Sequence, residues 1–209
     1  YDGKKSVPVS VGTLGNLVGN ETLGTTTASG EFADPNAGSN KDVAVTYTLA
    51  NGAVAKASNY TLAGEKLKGT INQKALTVNS IAAMGKTYDG NASATLINQG
   101  AVMTGIEGET LTVSTAGTFN DKNAGARQVN TTSTLGNGTG GLASNYILTN
   151  STNAVDATNT QKALTVIGIA AMGKTYDGNT SATLSNQGSV VTGIMGETLT
   201  VSTSGMFND

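Results

Sequence analysis

The octapeptide "MGKTYDGN" occupies Met84–Asn91 and returns letter for letter at Met172–Asn179, and the chain opens on its central triplet, Tyr1-Asp2-Gly3. Three of the six tyrosines therefore share one setting. The triplet is either a site, used once per unit for binding or chemistry, or a joint of the scaffold. Its spacing is the first clue, because an overlooked repeat misassigns a whole fold. Tyr1 to Tyr88 is 87 residues and Tyr88 to Tyr176 is 88, with the same landmarks in the same order between them. "GETLTVSTAGTFND" (Gly108–Asp121) is matched by "GETLTVSTSGMFND" (Gly196–Asp209) and loosely by "GNETLGTTTASGEFAD" (Gly19–Asp34). "DKNAG" (Asp121–Gly125) answers "DPNAG" (Asp34–Gly38), "ASNY" occurs at Ala57–Tyr60 and Ala143–Tyr146, and "QKALTV" at Gln73–Val78 and Gln161–Val166.

A unit of this length exceeds the roughly 20 to 45 residues of a solenoid repeat and has the size of a domain. "KALTV" reads as a fresh strand, which places the joints before Lys74 and Lys162. The expected organisation is residues 1–73 as a module lacking its first strand, 74–161 as a complete module and 162–209 as the first half of a third. The other phase, with Tyr-Asp-Gly as the start of each unit, stays open.

Composition limits the function. Apolar residues are 37% and aromatics 4%, with no Trp, which suits several small cores better than one large one. A net charge of −2 provides no basic field to attract nucleic acid or an anionic membrane. With no Cys there is neither a disulfide framework nor a thiolate metal site, and with no His the commonest general base is missing. No apolar window approaches the roughly 18 to 20 residues of a membrane span, so membrane insertion is not expected.

Period-two alternation dominates the pattern. In "DVAVTYTLA" (Asp42–Ala50), Val43, Val45, Tyr47 and Leu49 fall on one face, and Asp42, Ala44, Thr46 and Thr48 on the other. "ETLTVST" sends Leu111 and Val113 inward, and "KALTV" does the same with Leu76 and Val78. Turn signals separate the runs at Asp89-Gly90, Asn51-Gly52 and Asn137-Gly138. "IAAMGK" (Ile81–Lys86) is open to a single helical turn or to extension. The predicted class is all-β, as tandem antiparallel sandwiches of Ig-like size set end to end. One substitution between copies stands out. Leu67, Gly69 and Ile71 correspond to Val155, Ala157 and Asn159, which puts Asn159 at a partly wet junction or ends the strand before it.

With "KTYDGN", "GETLTVS", "GTFNDKNAG", "ASNYIL" and "QKALTV" in that order, the chain resembles the YDG-type, or MBG-type, repeat of large exported bacterial adhesins, including filamentous-haemagglutinin-like exoproteins of two-partner systems. The resemblance spans nearly the whole chain. The first copy departs from it, with "YDGKKSVP" where the second has "YDGNASAT", and with Pro35. It implies an extracellular or cell-surface setting and a stalk that holds a distal adhesive region away from the cell. Its expected partners are neighbouring repeats of the same chain. Two alternatives are a carbohydrate- or receptor-binding repeat acting on host or matrix glycans by avidity, and a self-associating biofilm matrix module.

As sites, the triplets Tyr1-Asp2-Gly3, Tyr88-Asp89-Gly90 and Tyr176-Asp177-Gly178 read as a structural motif in which Asp-Gly turns the chain and the ring plugs a small core, with its hydroxyl on backbone as in a tyrosine corner. The sharper reading is a sugar site built from ring, carboxylate and close backbone. Asp121 and Asn123 are weak calcium candidates, since "DKNAG" starts like a calcium loop but lacks the later bidentate carboxylate. A carboxylate pair such as Asp89 and Glu109 would suit glycoside hydrolysis, yet it would recur in every copy. No enzyme activity and no cofactor are expected.

Overall fold

The computed structural model describes residues 1–208; Asp209, the last residue of the third expected module, lies outside the described residues. The chain is all-β, built as several small sheets, and among the described residues its helical content is two single turns of 3-10 helix at Ala57–Asn59 and Ala143–Asn145. Both turns fall on the "ASN" landmark, and in both the Asn six residues earlier holds the turn: Asn51 Oδ1 accepts from the Ala57 N–H and Asn137 Oδ1 from the Ala143 N–H, each at 2.8 Å. The Asn-Gly pairs at 51–52 and 137–138 thus serve as caps of a short turn. No helix among the described residues is long and apolar enough to cross a membrane.

The chain divides into two compact units. The first comprises Tyr1–Ser80, Gln99–Thr115 and Ser133–Thr152, and the second Ile81–Asn98, Ala116–Thr132 and the chain from Asn153 onward. In the first unit, strands Ser6–Val7, Thr27–Phe32, Gly38–Thr48 and Glu65–Ile71 form an antiparallel sheet in that order. The alternation read from the sequence sets its faces: Val43 and Val45 are buried and Tyr47 half-buried, while Asp42, Ala44 and Thr46 are exposed. Opposite them, Phe32 pairs with Val43 and Gly30 with Val45, so one face gathers Phe32, Val43 and Val45, with Val7, Val9, Ala28 and Ile71 packed against it.

Among the described residues two strand pairs are parallel, as is the isolated bridge of Thr110 with Gly140, where the sequence reading expected antiparallel strands throughout. Lys74–Leu76 runs parallel to Tyr146–Leu148 in the first unit, and Lys86–Thr87 runs parallel to Asn159–Thr160 in the second. Residues so far apart in the chain need no tight hairpin, so the usual local reason for antiparallel pairing does not apply. The stretch Asn79–Ala83, ambiguous in sequence, is extended.

In the second unit, Phe119, Val129 and Asn159 are buried, and Val166–Ala171 pairs antiparallel with Leu184–Val190. Asn159 corrects the expectation for it. The strand Thr152–Thr160 runs through this residue rather than ending before it, and the side chain is 1% exposed rather than wet. Its amide Nδ2 donates to the Lys122 carbonyl at 2.5 Å, which offsets part of the cost of burying a polar residue at a strand position that is aliphatic in the preceding copy, while Oδ1 has no partner among the described residues.

The sheet of the first unit has one large ring at its centre. Phe32→Ala should therefore lower unfolding free energy by about 3 kcal/mol or more, because the removed ring leaves a cavity that β-strands fill poorly. Urea denaturation checks this; a loss below about 1 kcal/mol would mean that Phe32 is not the centre of that core.

Candidate functional site

Each Tyr-Asp-Gly triplet is first a local turn. Asp89 Oδ1 accepts from the Asn91 N–H at 3.1 Å, an Asx turn, and Gly90 adopts φ 81°, where a side chain is strained. The lysine two places before the tyrosine closes the turn. Lys86 Nζ donates to Asp89 Oδ1 at 2.7 Å and to the carbonyl and side-chain oxygens of Asn91, and it lies 5.5 Å from the Phe119 ring centroid. Lys174, Asp177, Asn179 and Phe207 repeat the arrangement. The lysine hydrogen bond first, and then the backbone N–H of the following Asn, hold both Asp89 and Asp177 below the usual carboxylate range. This is why the triplet carries Asp where a plain turn would accept Asn.

The tyrosines do something the sequence reading missed. Tyr1 donates its hydroxyl to Glu109 Oε1 at 2.5 Å, across 108 residues, and Tyr88 donates to Glu197 Oε1, across 109. Each ring thus closes on the Gly-Glu-Thr landmark of the next copy. A tyrosine corner would place the hydroxyl on nearby backbone; here the acceptor is a carboxylate from another copy. The other oxygen of Glu109 is also engaged, since Tyr146 of "ASNY" donates to Oε2 at 2.5 Å. The rings of Tyr1 and Tyr146 meet edge to face, 5.4 Å between centroids at 79°. In the first copy Tyr60 donates to Glu21 in the same way.

The loop that presents the glutamate is the same in all three copies. Glu21, Glu109 and Glu197 each donate their N–H to the carbonyl three residues earlier, of Val18, Ile106 and Ile194. In the second and third copies Thr104 and Thr192 are buried and donate to the Glu109 and Glu197 carbonyls at 2.9 and 3.1 Å. The aliphatic residue of the loop covers the glycine of the triplet: a Cβ on Gly3 would stand 3.2 Å from Ile106 Cγ2, and one on Gly90 2.6 Å from Ile194 Cγ2. The glycine therefore serves both the turn and this close approach.

A second polar clamp joins the same two copies. Asn145 is 1% exposed; its Oδ1 accepts from the Ala37 N–H at 2.9 Å and its Nδ2 donates to Asn36 Oδ1 at 3.0 Å. Gln73 reaches the same segment, donating to the Ser144 and Tyr146 carbonyls. Both the oxygen and the nitrogen of the Asn145 side-chain amide are thus hydrogen-bonded in a buried site, as burial of an amide requires.

The model of the YDG domain matches residues 1–67, 72–154 and 160–209. The chain belongs to the YDG domain family. No curated protein matches it, and no solved structure does. In this YDG chain the triplets Tyr1-Asp2-Gly3 and Tyr88-Asp89-Gly90 are brought onto Glu109 and Glu197, whereas Tyr176 is 93% exposed. Asp89 and Glu109, weighed as an acid–base pair, are engaged separately, the first by Lys86 and the second by two tyrosines. Asp121 accepts from the Asn123 N–H at 2.9 Å and pairs with Arg127 at 3.2 Å, so the cation facing this carboxylate is a guanidinium. Among the described residues no three acidic side chains converge as metal ligands would.

Burial, and then the Glu109 carboxylate, push the Tyr146 hydroxyl well above its ordinary value of 10.0, and the same causes raise Tyr1. A tyrosine whose folded value is raised stabilises the fold fully below its unfolded value and loses that contribution as pH climbs through the window above it. Stability of the YDG chain should therefore fall as pH rises past about 10, with a shallower fall in Tyr146→Phe, as measured by urea denaturation across pH 8 to 11. At neutral pH, Glu109→Gln should cost about 2 kcal/mol, because one tyrosine hydroxyl then faces an amide N–H in place of a charged acceptor. An unchanged midpoint in Glu109→Gln would show that the clamp contributes nothing.

Proposed function

We propose that this chain is a structural spacer segment of an exported bacterial adhesin, a stalk of tandem Ig-like β modules of about 88 residues that projects a distal adhesive region from the cell surface. The modules are those of residues 1–73, 74–161 and 162–209, and their partners are the neighbouring repeats. The observation that supports this reading is a set of three polar contacts between copies: Tyr1 with Glu109, Asn36 with Asn145, and Tyr88 with Glu197. In the first unit the ring, carboxylate and amide that a sugar site would use are spent on one another. A copy that lends its tyrosine to the next is coupled in series, which suits a load-bearing connector and is not needed for independent binding modules.

Under this reading the isolated chain binds no glycan specifically. Displayed between a bacterial surface anchor and an epitope, it should raise binding of a bulky antibody to that epitope. A glycan array and flow cytometry provide the two measurements. The exposed Tyr176 offers a clean control, because its ring has no part in either clamp among the described residues. Specific glycan binding that disappears in Tyr176→Ala with the fold retained would overturn the spacer reading in favour of a binding repeat.

A further inference from the structure

The second unit contains an open cavity of about 460 Å³ whose lining includes Tyr88, Asn123, Ala124, Lys162, Ile194 and Glu197. One copy earlier, these residues correspond to Tyr1, Asn36, Ala37, Lys74, Ile106 and Glu109. In the first unit that equivalent place is filled. Asn145 sits on Asn36 and Ala37, Tyr146 donates to Glu109, and Tyr146–Leu148 pairs in parallel with Lys74–Leu76.

The groups that receive Asn145–Leu148 recur in the second unit, and no segment among the described residues fills them. Lys162–Leu164 has no strand partner among the described residues, and Leu164 is 37% exposed where Leu76 is 6%. Glu197 Oε1 holds Tyr88, and the second oxygen, which in Glu109 accepts Tyr146, has no partner among the described residues. Gln161, unlike Gln73, makes no hydrogen bond to a neighbouring strand among the described residues. We propose that this cavity is a peptide-binding site for an extended Ala-Ser-Asn-Tyr-Ile-Leu segment of another copy of the repeat.

The recognition chemistry is fixed by the filled counterpart. The Asn side chain bridges the Asn123 amide oxygen and the Ala124 N–H. The Tyr hydroxyl takes the free Glu197 oxygen, with its ring edge on Tyr88. The two aliphatic residues then add a parallel strand to Lys162–Leu164, so backbone bonds supply much of the affinity and the Asn-Tyr pair supplies selectivity. The assignment does not depend on the spacer reading; a glycan-binding repeat would carry the same seat.

The test is a titration of the full 209-residue chain, labelled with 15N, with the synthetic octapeptide Ala-Ser-Asn-Tyr-Ile-Leu-Thr-Asn of residues 143–150. Saturable shifts are expected at Lys162, Leu164, Ile194 and Glu197, with a Kd of about 1 mM or tighter. Asn145→Ala or Tyr146→Ala in the peptide should weaken binding about tenfold, and these changes leave the protein itself untouched. Glu197→Gln in the protein should weaken the parent peptide and lose the discrimination against a Tyr146→Phe peptide. Absence of saturable shifts, or equal shifts with a scrambled octapeptide, would overturn the proposal.

Discussion

One carboxylate organises this protein. Glu109 accepts a tyrosine hydroxyl on each oxygen, from Tyr1 in the preceding copy and from Tyr146 in its own, and the two rings pack edge to face beside it. A half-buried carboxylate is costly unless it is fully hydrogen-bonded, and two phenol donors satisfy it without introducing an opposite charge. That choice fits a chain with few charges and few aromatics. The rings supply apolar area, and their hydroxyls supply the donors.

Much else depends on that clamp. Once Tyr146 is held on Glu109, the segment following it lies beside Lys74–Leu76 and forms a parallel pair, while the residue before it, Asn145, is pressed against Asn36 and Ala37. The interior that results is unusually polar. Thr115 and Ser133 hydroxyls meet at 2.9 Å, and Asn145 and Asn159 are as buried as Val129. Such an interior gains less from apolar transfer than a Leu-rich one and depends more on each polar atom finding its partner. Specific pairing of one copy with the next follows, because a misaligned neighbour would leave buried amides and a carboxylate without partners.

A large part of the fold is legible in sequence. The alternation in Asp42–Ala50 places Val43 and Val45 inside correctly because period two is a property of the strand itself and needs no knowledge of its neighbours. The Asx turn at Asp89-Gly90 is legible for the same reason, since donor and acceptor lie two residues apart. Glu109 is different. It recurs in every copy within the same landmark, which is a signal, but nothing in its own surroundings points to a tyrosine 108 residues away. The landmarks "GET", "ASNY" and "YDG" are visible as equals in the sequence, while their convergence on one point is not. Asn159 shows the converse, since a polar residue at an aliphatic strand position reads as wet until the Lys122 carbonyl is found beside it.

The all-β character and the turn chemistry of each triplet are legible along the chain because both rest on interactions within a few residues. Only the tertiary structure decided who the partners are. It sent Tyr1 and Tyr88 forward to the next copy's glutamate, made the Lys74–Leu76 pairing parallel, and left in the second unit a seat shaped like the one Asn145 and Tyr146 fill in the first. The physical reason is that repetition makes equivalent residues chemically indistinguishable in sequence. A tyrosine could meet the glutamate of its own copy or of its neighbour with identical local chemistry, and chain geometry and packing select between them.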